Sequence, residues 1–369
     1  MKRNFLLPNN DQLICTHQAA IFTFSAPRMV LSTAANGGGL RYDLTSTFNY
    51  CDCGSSGVCL PMNGKNLKEH QISIAKKLDL DPEYTTGLDT AANLDNMVVL
   101  TKTWNSISVT AAVSAGADVN ALCAGDPATL FESDEEPCLL SPGTINIFLI
   151  TNQTLSPGAM TELLMTVTEA KTTVLRDFMQ GSSASNSIAT GTGTDGIVIV
   201  GDCDFEHTLL NAGKHFKFGE LAALTVQEAV KEALFRQTGF CAQSQHSVFS
   251  RLKRFGISKT AIVNSISKEY SISLDAISAL AEHFDKDSFC ITAVSLYVHL
   301  LDQCRSDMLT EFEISDWSNY LLQAMKAHYS CNFSISDELD PLEKLQIFFE
   351  SLLRSYIEIE EEKHLYPNL

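Results

Sequence analysis

The chain has 369 residues and a formal charge of −18, from 44 acidic against 26 basic side chains. Apolar residues make up 45% and charged ones 19%, the balance of a folded chain rather than a disordered one. An acidic field of this size repels polyanions, which excludes nucleic acid and anionic membrane surfaces as partners, and the length predicts two domains.

At the N-terminus, Met1-Lys2-Arg3 is followed by Pro8-Asn9-Asn10-Asp11-Gln12, which interrupts any apolar run of the kind an export signal needs. No segment offers the roughly 18 to 20 apolar residues of a membrane span. Eleven cysteines in such a chain are expected to be reduced thiols, and the protein is expected in the cytoplasm. Short β-branched and apolar runs predict strands at residues 21–24, 29–33, 97–100, 107–110, 145–150 and 196–200. Helices are predicted over 65–78 and from Pro157 to about 178, the second capped by Ser156. Beyond Gly239 strand signals fade and long 3.6-residue periods take over, as at 273–284 and 342–357. The expected architecture is an α/β domain over residues 1–240, a mixed sheet with flanking helices, followed by an all-α domain over 241–369.

Four segments of the first domain carry candidate chemistry. Ser32-Thr33-Ala34-Ala35-Asn36-Gly37-Gly38-Gly39 ends a strand in three glycines, which permit positive φ and close backbone approach to a ligand, or form a bulged loop with no ligand. Val109 to Pro127 runs a strand into the small residues from Ser114 onward, which suits close backbone packing or a flat ligand. Gly143-Thr144-Ile145-Asn146 leads, through the helix opened by Pro157, to Thr168-Glu169-Ala170-Lys171. On that helix Glu162, Thr166, Glu169 and Thr173 share a face, which reads either as solvated surface or as the polar wall of a cleft, while Lys171 lies about 200° round from Glu169. Ala189-Thr190-Gly191-Thr192-Gly193-Thr194-Asp195-Gly196 gathers backbone N–H groups, hydroxyls and one carboxylate in a short loop able to hold an oxyanion. It lacks the spacing and lysine of a phosphate-binding loop, and its strand follows instead of preceding it.

In order and spacing these segments resemble the adenosylcobinamide amidohydrolase family, over residues about 20–215. Gly87-Leu88-Asp89-Thr90-Ala91-Ala92 is similar to a further element of that family, Gly-Leu-x-Thr-Ala-Ala. The resemblance implies hydrolysis of the amide that joins aminopropanol to the corrin of adenosylcobinamide, giving adenosylcobyric acid for cobamide salvage. The partner is then a small corrinoid, and no cofactor is implied, because the cobalt arrives with the substrate. The helices after about residue 240 lie outside the resemblance and are expected to serve as a homo-oligomer or protein-partner surface.

Amide hydrolysis requires an activated water or nucleophile, oxyanion stabilisation and a proton for the departing amine. No Gly-x-Ser-x-Gly elbow or HExxH pair is present, and His17 and His70 fall outside the motif segments. A carboxylate base is therefore expected, Asp195 first and Glu169 second, with Lys171 or Asn146 as oxyanion donor or water-orienting group. Thr192 or Thr194 is a candidate nucleophile provided that a base stands beside it. Asn36, Gly37, Gly38, Asn146, Thr192 and Thr194 are the expected substrate contacts. Cys51-Asp52-Cys53 with Cys59 lacks the second ligand pair of a structural zinc site and departs from the family pattern, so free thiols and no protein-bound metal are expected. A corrinoid-binding module without catalysis, and an interaction protein acting through its helices, are the competing readings.

Overall fold

The computed structural model describes residues 2–53, 62–128, 143–203, 207–270 and 272–365. Residues Met1–Cys241 and Ala242–Leu369 form two separate compact units. The first begins with β1 (Arg3–Leu6), β2 (Gln12–Cys15), β3 (Ala19–Ser32), β4 (Gly39–Cys51), α1 (Leu67–Lys77) and β5 (Thr85–Thr90). It continues with β6 (Val98–Trp104), β7 (Ile107–Ala115), β8 (Ala121–Leu122), β9 (Ile145–Thr151), β10 (Thr154–Leu155) and α2 (Pro157–Asp177). It closes with β11 (Gly191–Thr192), β12 (Gly196–Gly201), β13 (Thr208–Leu209) and α3 (Lys217–Thr238).

A mixed sheet runs in the order β1-β2-β3-β12-β9-β7-β6, with β4 added to β3 and β5 to β4. The 14-residue β3 makes this branching geometry: residues 20–23 pair with β2 and 29–32 with β12, while β4 follows its other edge. The two strands expected at 21–24 and 29–33 are thus one strand interrupted by Pro27, which has no N–H to give. The β3–β4 register shifts between Thr23 and Arg28 at that point.

The sheet is curled, so that Phe22 of β3 stacks on Phe148 of β9 with ring centroids 4.7 Å apart. Every residue of β9 is buried. Ile145, Ile147 and Leu149 pack with residues of α2 and α3, whereas Phe148 and Ile150 pack inside the curl with Leu13, Leu44 and Leu88. By the two-residue period of a strand, Asn146 belongs to this inner face. Helix α1 covers the outside of β3 and β4 through Ile74 and Ala75 against Ala19, Phe48 and Tyr50. Truncating the fully buried Phe148 to alanine would cost about 3–5 kcal/mol, because its ring fills the space between the two halves of the sheet.

The second unit is helical: α4 (Val248–Leu252), α5 (Lys259–Ile266), α6 (Leu274–Lys286), α7 (Ser288–Arg305), α8 (Glu311–His328) and α9 (Pro341–Leu365). Ser258, Ser273, Asp287 and Thr310 cap α5 to α8, and Thr310 with Glu313 completes a capping box. Its core is built from Phe284, Tyr297, Phe348 and their aliphatic neighbours. The fold class therefore matches the sequence reading, a mixed sheet with helices and then a helical region. Among the described residues no helix is long and apolar enough to cross a membrane.

Candidate active site

Helix α2 starts at Pro157 behind the Ser156 cap and buries Met160, Leu163, Val167, Ala170 and Val174 against the sheet. That stripe carries Lys171 inward with it, and its ammonium pairs with Asp195 in the turn between β11 and β12. The two side chains keep only 7% and 11% of their surface, so this is a largely desolvated ion pair. Asp195 Oδ1 also accepts the Ile145 N–H (3.0 Å) and the Thr192 hydroxyl (2.5 Å), and Oδ2 accepts the Thr192 N–H (3.0 Å). One carboxylate thus ties α2, the start of β9 and the Thr-Gly loop together. Gly191 is required here, since a Cβ on it would lie 2.3 Å from Asp195 Oδ2 and 2.7 Å from Lys171 Nζ.

The remaining expected contacts divide. Thr194 hydrogen-bonds through its hydroxyl to the Gly143 carbonyl (3.0 Å), and its own carbonyl accepts the Thr144 hydroxyl (2.7 Å). Asn146, buried beside this loop, donates to Asn49 Oδ1 (2.9 Å) and to the Asp89 carbonyl (2.8 Å), which uses both its N–H groups. Asn36 is buried and donates to the Pro82 and Thr85 carbonyls (3.0 and 3.1 Å). Gly37 and Gly38 approach backbone of their own fold: a Cβ would meet Thr85 O at 2.7 Å or Ala34 O at 2.0 Å. Glu169 is not brought to Asp195. It faces outward and pairs with Lys214. Of the polar face proposed for α2, Glu162 and Thr166 instead fasten the chain at Ala212, accepting its N–H (2.7 Å) and donating to its carbonyl (3.2 Å).

A second constellation joins residues that the sequence left apart. Asp52 follows β4, His70 and Gln71 lie on the buried face of α1, and Asp89 is the penultimate residue of the neighbouring β5. His70 Nε2 lies 3.1 Å from Asp52 Oδ1 and 3.8 Å from Asp89 Oδ1, and Nδ1 accepts the Asn63 N–H (2.8 Å). Gln71 Nε2 donates to Asp89 Oδ2 (2.7 Å), while Gln71 Oε1 accepts the Asn36 N–H (2.9 Å). The hydrogen bond to Asp52 raises the His70 pKa, against burial, with the charges of Asp52 and Asp89 adding to the rise. Burial, then the nearby Asp52 charge, pushes Asp89 up to about 7, opposed by the Gln71 bond and His70. The available signal was positional: parallel β4 and β5 pair Tyr50 with Asp89, so the ends of these strands and the helix between them had to converge. Cys51 is buried and outside any disulfide, Cys53 is disulfide-bonded, contrary to the expectation of free thiols, and Cys59 lies outside the described residues.

The Gly143-Thr144-Ile145-Asn146, Thr168-Glu169-Ala170-Lys171 and Thr190 to Asp195 segments therefore meet at one carboxylate. Residues 6–242 match the adenosylcobinamide amidohydrolase family. The chain belongs to that family. An uncharacterized protein of Methanocaldococcus jannaschii is 32% identical over 240 residues, which span 62% of this chain and 89% of the relative. Within an adenosylcobinamide amidohydrolase fold, the Lys171–Asp195–Thr192 arrangement is suited to acyl chemistry. A hydroxyl rests on a carboxylate, and that carboxylate is held by a cation, the order of nucleophile, base and orienting group.

Proposed function

We propose that the protein hydrolyses the amide between aminopropanol and the corrin of adenosylcobinamide, releasing aminopropanol and adenosylcobyric acid. Family membership supports the substrate class. The observation that carries the chemistry is the 2.5 Å hydrogen bond from the Thr192 hydroxyl to Asp195, with Lys171 on the other oxygen. Thr192 Oγ1 attacks the amide carbonyl as its proton passes to Asp195. Four donors face that carboxylate, so the transfer accompanies C–O bond formation, when the hydroxyl becomes acidic. Collapse of the tetrahedral species breaks the C–N bond, and the proton returns from Asp195 to the departing amine. Water then cleaves the Thr192 ester by the same route in reverse.

The test is incubation of the full chain with adenosylcobinamide and chromatography for adenosylcobyric acid and aminopropanol. Release of both in equal amounts is the expected result. Tight corrinoid binding with no product would leave a binding module and overturn the hydrolase.

A further inference from the structure

The mechanism proposed above does not call on the Asp52–His70–Asp89 cluster. Asp89 lies within Gly87-Leu88-Asp89-Thr90-Ala91-Ala92, and Asp52 between Cys51 and Cys53. We propose that these three side chains form a site for one divalent first-row cation, bound through Asp52 Oδ1, His70 Nε2 and Asp89 Oδ1.

The three atoms lie within 4.8 Å of one another, with Nε2 at 3.1 and 3.8 Å from the two oxygens. Ligands about 2.0–2.2 Å from a common ion stand roughly 3–3.5 Å apart when tetrahedral, so a small inward movement completes the shell. The donor set, two carboxylates and one imidazole, suits Mn²⁺, Fe²⁺ or Zn²⁺ above soft ions. Two carboxylates beside a buried imidazole also leave an excess of negative charge in poor solvent, which a divalent ion neutralises.

The observation that points to a ligand is Asp89 Oδ1. Its side chain keeps 15% of its surface, yet Oδ1 itself is buried and meets no hydrogen-bond donor among the described residues. A buried acceptor left in this way bears its desolvation uncompensated, and a cation between Oδ1 and Nε2 relieves it. The other oxygen is held by Gln71, itself held by the Asn36 N–H, so the carboxylate is oriented by an outer pair of bonds as metal-binding carboxylates are. The Asp52 backbone is fixed by its N–H on the Thr90 carbonyl (3.1 Å).

Asn63 defines what binding must change. Its N–H donates to Nδ1, which places the ring proton on Nε2, between His70 and the carboxylates. That proton occupies the cation's position. Binding therefore moves the ring proton to Nδ1 and breaks the Asn63 contact, a tautomer exchange visible in the ¹⁵N spectrum of the imidazole.

The experiment titrates the full chain with Mn²⁺, following free Mn²⁺ by electron paramagnetic resonance. Zn²⁺ is then added to protein labelled with ¹⁵N-histidine. One bound Mn²⁺ per chain is expected, with affinity reduced more than about tenfold in Asp89→Asn and His70→Gln. The His70 signals should switch from the Nε2–H to the Nδ1–H pattern on Zn²⁺ addition. No stoichiometric Mn²⁺ binding by the wild type, or binding unchanged in both variants, overturns the site. The labelled wild-type spectrum decides the matter even if a variant fails to fold, since retention of the Nε2–H tautomer with Zn²⁺ present also overturns it. None of these readouts depends on corrinoid turnover.

Discussion

Lys171 and Asp195, 24 residues apart in sequence, form an ion pair that fastens helix α2 to the loop preceding β12 with both side chains largely buried. The same carboxylate receives the Thr192 hydroxyl and two backbone N–H groups. Its removal is therefore a structural event as well as a chemical one.

Asp195→Asn is expected to abolish turnover and to lower stability together. Breaking a buried pair by removing one partner costs about 3–5 kcal/mol, because the other charge stays desolvated and alone. The double variant Lys171→Met with Asp195→Asn should recover part of that stability but no activity. Urea unfolding of the three proteins beside their kcat measures both effects. A single variant as stable as wild type would show that the pair carries little of the fold.

Thr192→Ala removes the attacking oxygen, so turnover through the covalent ester should be abolished. Thr192→Ser keeps the hydroxyl and should retain most of the rate. Mass spectrometry of rapidly quenched wild-type enzyme should show a corrinoid ester on the peptide containing Thr192. Normal turnover by the alanine variant would transfer the attack to water with Asp195 as its base.

Glu169→Gln is expected to leave both kcat and stability close to wild type. Its carboxylate is 49% exposed and meets only Lys214 among the described contacts, and such surface pairs contribute about 0–1 kcal/mol. A large loss of turnover would instead bring Glu169 into substrate contact.

Gly191→Ala should disable the site while leaving every charged side chain in the sequence. The added methyl would stand 2.3 Å from Asp195 Oδ2, so the carboxylate or the loop must move. Gly239→Ala is the control: its φ of 73° strains an alanine backbone, but open space surrounds the new atom, so it should cost about 1 kcal/mol and no activity. Thermal melts and turnover of the pair compare the two.

Residues 1–241 are expected to fold and hydrolyse without the helical unit. All hydrophobic clusters on the sheet draw their buried residues from before Ala242, and the helical cluster draws its own from Val248 onward. A truncated protein that is folded, by its amide spectrum, yet inactive would assign the helices to the site.

Local pattern was enough for the elements whose signal is periodic. The apolar run of β9, the Ser156-Pro157 start of α2 and the serine caps of the C-terminal helices are all written in consecutive residues. The order of motifs likewise identified the family, and the Thr-Gly loop with Asp195 and Lys171 was visible as an assembly of chemistry-bearing groups. What the sequence by itself could not supply was distance. Lys171 and Glu169 are two residues apart, and only the packing of α2 decided that one is buried against Asp195 while the other is spent on the surface with Lys214. His70 looked isolated because its partners come from the ends of two parallel strands that flank its helix. Side-chain type and periodicity are local properties of the chain. Convergence of Asp52, His70 and Asp89 depends on the pairing of β4 with β5 and on the face that α1 buries, and these are set by the tertiary structure alone.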